Sequence, residues 1–87
     1  MIDLDKAEAL LRAEGLIPVT TGWLTASIAT APIRVRIGVT YEDAVVDQSN
    51  FLSRDWLTTD EADAHAGALT SAAALCRRIE AECQVTP

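Results

Sequence analysis

The run Ile33-Arg34-Val35-Arg36-Ile37-Gly38-Val39-Thr40-Tyr41-Glu42 decides the fold. Apolar side chains at 33, 35, 37, 39 and 41 alternate with Arg34, Arg36, Gly38, Thr40 and Glu42. Successive side chains of a strand point to opposite faces, so a period of two predicts a strand buried on one side only. A face holding two arginines lies in water. That pattern belongs to an antiparallel sheet with one covered face, since parallel strands are buried on both.

Reading outward, residues 22–30 (GWLTASIAT) are rich in Thr and apolar residues and predict a second strand. Thr30-Ala31-Pro32 separates the two runs as a hairpin-like connection. Glu42-Asp43 is turn chemistry leading into a third strand over residues 44–47, which Gln48-Ser49-Asn50 ends. Residues 51–56 (FLSRDW) fit either a fourth, edge strand or an ordered loop.

Helices flank this core. Residues 5–14 place Ala7, Leu10 and Leu11 on one side, with Leu4 just before them. Asp5 is the expected cap, and Glu8 stands three residues later. Gly15 is the left-handed stop, with Leu16 closing on Leu11 in a Schellman arrangement. The last helix is predicted from about Asp60 to Ala81 or Cys83, with Pro87 beyond its end. Thr58 and Glu61 form a capping box, and Asp60, Glu61 and Asp63 favour the positive end of the dipole. At 1.5 Å per residue it is about 36 Å long. A compact chain of this length has a diameter of roughly 30 Å, so the helix spans or overhangs it. The expected architecture is an α+β single domain over residues 1–87, ordered α–β–β–β–α. A short N-terminal helix precedes a three-stranded antiparallel sheet, four-stranded if residues 51–56 join it. The long C-terminal helix packs on one sheet face.

The last helix carries a wide apolar face: Ala62, His65, Ala66, Leu69, Ala72, Ala73, Cys76, Ile79 and Cys83, widened by Ala64, Ala68 and Leu75. This face exceeds the stripe one sheet requires. Its surplus either covers the first helix or forms a homodimer interface through His65, Leu69, Ala72, Cys76 and Ile79.

Composition supports the need for close packing. Of 43 hydrophobic residues in a chain of 87, 15 are Ala and two are Cys, leaving 26 larger ones. A domain this small buries only about 60% of its unfolded surface and is marginally stable. The balance of 49% hydrophobic and 23% charged residues is globular, not disordered. No apolar run approaches the roughly 20 residues of a membrane span. The acidic start, Met1-Ile2-Asp3-Leu4-Asp5, lacks the pattern of a secretory signal, so a cytoplasmic location is expected.

Chemistry-bearing constellations are missing from the pattern. Cys76 and Cys83 stand two helical turns apart, too far for a disulfide, and one His with no C-x-x-C gives no metal or haem motif. No cofactor is expected. His65 falls within the apolar face, and Ser27, Ser49, Ser53 and Ser71 lack a nucleophile motif. The reading is therefore not an enzyme. The net charge of −6, with pI near 4.5, disfavours nucleic acid as a ligand. Mimicry of nucleic acid has the right sign. However, residues 1–44 hold six acids against four bases and residues 45–87 hold seven against three, too even a spread to lead. Trp23, Arg34, Arg36 and Trp56 are the candidate protein-binding anchors, because Arg and Trp are the enriched hot-spot types.

The run Leu57-Thr58-Thr59-Asp60-Glu61-Ala62, followed by Ala66, Leu69 and Ala73, has the form L-T-x-x-E-A-x-x-x-A-x-x-L-x-x-x-A. It resembles the C-terminal helix of uncharacterised small proteins of actinobacteria and their phages. The resemblance implies a few strands before an Ala-rich helix. It also implies a phage-type accessory protein that binds and modulates or inhibits a host defence or regulatory protein. The alternative expectation is a structural homodimer, or a subunit of a larger assembly, built through the last helix.

Overall fold

In the computed structural model, which describes residues 1–86, six elements follow one another. They are α1 (Leu4–Ala13), β1 (Val19–Thr20), β2 (Leu24–Ala29), β3 (Arg34–Val39), β4 (Ala44–Ser49) and α2 (Thr59–Glu82). Pro87, expected beyond the last helix, lies outside the described residues. The strands form one antiparallel meander in the order β1-β2-β3-β4. The α+β architecture is the expected one, with four strands.

The fourth strand is not the one considered from the sequence. Residues 51–56 form no strand; the extra strand is β1, two residues long, pairing Val19 with Thr25 and Thr20 with Leu24. Pro18, directly before β1, has no N–H to extend the ladder. The first-helix cap also differs from expectation. Asp3, not Asp5, caps α1: its carboxylate accepts from Asp5 N at 3.0 Å and Lys6 N at 3.2 Å. Asp3 is held there because its own N–H donates to the Cys83 carbonyl at 2.6 Å. Glu8 instead pairs with Arg12 one turn on. The stop is as read. Gly15 has φ +83°, Leu16 N–H donates to Leu11 O and Gly15 N–H to Arg12 O, the paired bonds of a Schellman motif.

The core forms over the middle of the alternating run, while Tyr41, at its end in the β3–β4 turn, is 61% exposed. Val35, Ile37 and Val39 of β3 are fully buried, with Leu24 and Ala26 of β2 beside them. Their covering layer is α2, helped by Ala7 and Leu11 of α1 and by Ile2. The capping box at Thr58 and Glu61 is formed in both directions. The 24 residues of α2 account for the elongated body, 48 × 22 × 21 Å.

α2 runs antiparallel to β4. Near its start, His65 reaches Gln48 at one end of β4. At its finish, Cys83 is tied to Asp3, next to Ile2, whose N–H donates to Tyr41 O by the β3–β4 turn.

Candidate functional site

Both helices lie on one side of the sheet, and among the described residues no helix covers the other side. Register fixes what that open face shows. Thr25, Gly38 and Val45 lie side by side across β2, β3 and β4, then Ser27, Arg36 and Asp47, then Arg34 and Ser49. A bulge after Ser27 shifts the far end of β2.

Trp23 belongs to this face, and Gly38 explains its posture. A Cβ on residue 38 would stand 2.5 Å from Trp23 Cζ3 and 2.8 Å from Cη2. The indole therefore lies flat on the Gly38 backbone, a close approach that only glycine permits in a strand. Arg36 donates to Asp47 at 2.7 Å through Nε, and its guanidinium stands 2.6 Å from the same oxygen. Arg34 has no carboxylate partner among the described residues. Its guanidinium lies 5.0 Å from the Phe51 ring centroid and makes one long bond, 3.4 Å, to Ser49 Oγ. Its buried Nε has no partner among the described residues.

Of the four expected anchors, the structure gathers Trp23, Arg34 and Arg36 on one face. Trp56 stands in a separate cluster in the segment before α2. There Arg54 stacks 4.5 Å over the Trp56 ring and grips Glu61 with two 2.7 Å bonds. The Arg54 bonds, then the Thr58 N–H, hold the Glu61 carboxyl down at about 2. This staple fixes residues 54–56 as an ordered loop. Phe51, 74% exposed, was missed as a member of the open face. Its signal was position: it stands two residues beyond Ser49, the neighbour of Arg34.

The expected dimer stripe on α2 is largely occupied within the chain. Ala72, Cys76 and Ile79 are buried against the sheet and so offer no surface to a second copy. This corrects the sequence reading: the centre of the wide face covers the chain's own core. His65 and Leu69 are half-buried at its margin. His65 Nε2 lies 3.0 Å from Gln48 Oε1, and its buried Nδ1 has no hydrogen-bond partner among the described residues. No carboxylate bonds to this imidazole among the described residues, so it has no acid–base partner there.

Among the grooves of the helix side, one of about 360 Å³ is lined by Leu16, Ile28, Ser71 and Leu75 with the Glu14–Arg78 ion pair at its rim. It gathers no nucleophile with a base. Both cysteines are free and buried, and burial pushes both thiols above their ordinary range. Among the described residues no group of three His, Cys, Asp or Glu stands together to hold a metal ion, and no helix is long and apolar enough to cross a membrane. Comparison with family models, curated proteins and solved structures gives no match for the chain.

Proposed function

We propose that the chain is a small, non-enzymatic protein-binding module whose contact surface is the open face of the sheet. The observation that carries this reading is the set of side chains there: Trp23 flat on Gly38, Arg34 stacked on an exposed Phe51, and Arg36 held by Asp47. Rigid aromatics and planar guanidinia are the side chains that anchor protein interfaces at low entropic cost. The Arg36–Asp47 pair is about one-third exposed, worth only about 0.2–1 kcal/mol to the fold. It therefore stands as a contact for a partner more than as a brace.

The resemblance of the run from Leu57 to Ala62 extends the proposal to a phage-encoded accessory protein acting in the cytoplasm on a host defence or regulatory protein. The net charge of −6 favours a basic partner electrostatically. Affinity capture from host lysate, read by mass spectrometry, tests the reading. The double variant Arg34→Glu/Arg36→Glu, and separately Phe51→Ser, are expected to lose the protein that the unaltered chain captures. Capture retained by both would exclude this face.

A further inference from the structure

The outer edge of β4 is open. No strand pairs with it among the described residues, its pairing with β3 is regular from Ala44 to Ser49, it carries no Lys, Pro or bulge, and its one charge, Asp47, is held by Arg36. Natural sheets normally blunt such an edge by one of these devices. We infer that β4 pairs antiparallel with β4 of a second copy of this chain, about a two-fold axis at Val46, making one eight-stranded sheet.

The register follows from the hydrogen-bond phase. Thr40 N–H donates to Asp43 O across the β3–β4 turn at 2.9 Å. Antiparallel pairs alternate between bonded and non-bonded, so the pairs 38–45, 36–47 and 34–49 are bonded inward. Ala44, Val46 and Gln48 then turn their N–H and C=O groups to the free edge. Opposed residues must also share a sheet face. Centring on Val46 meets both conditions over the full strand: Val46 faces its copy, and Ala44 faces Gln48 at each end. Val45 then meets Asp47, and Asp43 meets Ser49. Centring on Asp47 would oppose two carboxylates, and centring on Val45 would oppose Asp43 to Asp47.

Charge supports the same register. Asp43 is exposed and makes no ion pair among the described residues, and Arg34 has no carboxylate. In the Val46-centred pairing Asp43 of each copy stands beside Ser49 of the other, and Arg34 is the next residue across the same face. Two such cross-copy ion pairs form, related by the axis. The exposed edge of Val46, 38% accessible, is covered.

The helices fit. α2 lies over β3 and β4, so its axis stands about one strand spacing, ~4.8 Å, from the two-fold and about 9.6 Å from its copy. Packed helices stand 8–10 Å apart. At 100° per residue, Ser71, Leu75 and Arg78 face the groove on the β2 side, so Ala62, Ala66 and Ala73 face the β4 side. The three alanines admit the approach, with Leu69 and Glu80 on the same side of the helix. Leu69, one turn after His65, stands level with Val46 on the axis. This proposal does not rest on the open-face reading: β4 pairing takes up Arg34 of that face and leaves Trp23 and Arg36 uncovered.

Sedimentation velocity and light scattering test it. The chain of 9.3 kDa is expected to run at twice that mass at tens of micromolar. Val46→Pro deletes an N–H that points only at the free edge, so the β3–β4 ladder survives and the dimer is lost by at least tenfold in Kd. Arg34→Asp and Asp43→Arg each weaken the dimer about tenfold, and the double swap restores it. A monomer at 100 µM, or a double swap no tighter than either single change, overturns the proposal. So would protection of the Val46 amide only by an added extended peptide, which would assign the edge to a foreign strand.

Discussion

Gly38→Ala turns one contact into a number. The new Cβ would meet three indole carbons at 2.5, 2.8 and 2.9 Å. Carbon atoms prefer about 3.5–4.0 Å, so the ring must retreat by about 1 Å, which forfeits a quarter to a half of its contact attraction. Overpacking of this kind costs about 1–3 kcal/mol. Replacing glycine within a strand returns roughly 0.5–1 kcal/mol through backbone entropy. The net expectation is a loss of about 1–2 kcal/mol, which lowers Tm by about 5–15 °C in a domain of this size. The assay is thermal unfolding of a double-mutant cycle with Trp23→Ala. Without the indole, the same Gly38→Ala change should stabilise by about 0.5–1 kcal/mol, because only the entropy gain remains. The sign inverts between backgrounds. An equal effect in both, of either sign, would refute the stacking of Trp23 on Gly38.

Three further outcomes follow from the geometry. Ile79→Ala, at a fully buried position where α2 meets the sheet, is expected to cost about 2–5 kcal/mol by chemical denaturation. That is a large part of the roughly 4–13 kcal/mol available to 87 residues. Glu61 has a depressed carboxyl, so its contribution is full above its ordinary value of 4.5 and is lost as pH falls toward about 2. Stability should therefore drop over that window, and Glu61→Gln should flatten the drop in acid melts. Cys76 and Cys83 should react slowly with a thiol reagent in the folded chain and at once in denaturant, because burial raises both thiols.

The alternation from Ile33 to Tyr41 made the sheet legible, since a half-buried strand writes its two faces directly into sequence. The capping box at Thr58 and Glu61 made α2 legible for a similar local reason. β1 was hidden because two residues carry no period. The cap at Asp3 was hidden because Cys83, eighty residues away, holds its backbone in place. The width of the α2 face is legible in the sequence, but what each part of it covers is not. Periodicity reports that a face is apolar, and only the register of α2 on the sheet separates Ala72, Cys76 and Ile79, which are buried, from Ala62 and Ala66, which are not. At the open face, Arg34 and Arg36 were plain from alternation. The role of Gly38 was the missed signal, since a glycine inside an otherwise regular strand marks a close approach.

Site-specific photo-cross-linking in the native host tests whether the open sheet face contacts a protein. A benzophenone side chain at Ser27, exposed on that face, is compared with one at Ala81, exposed on α2. A single discrete adduct from position 27 and none from position 81 is the predicted result. Adducts from position 81 with none from position 27 would contradict it.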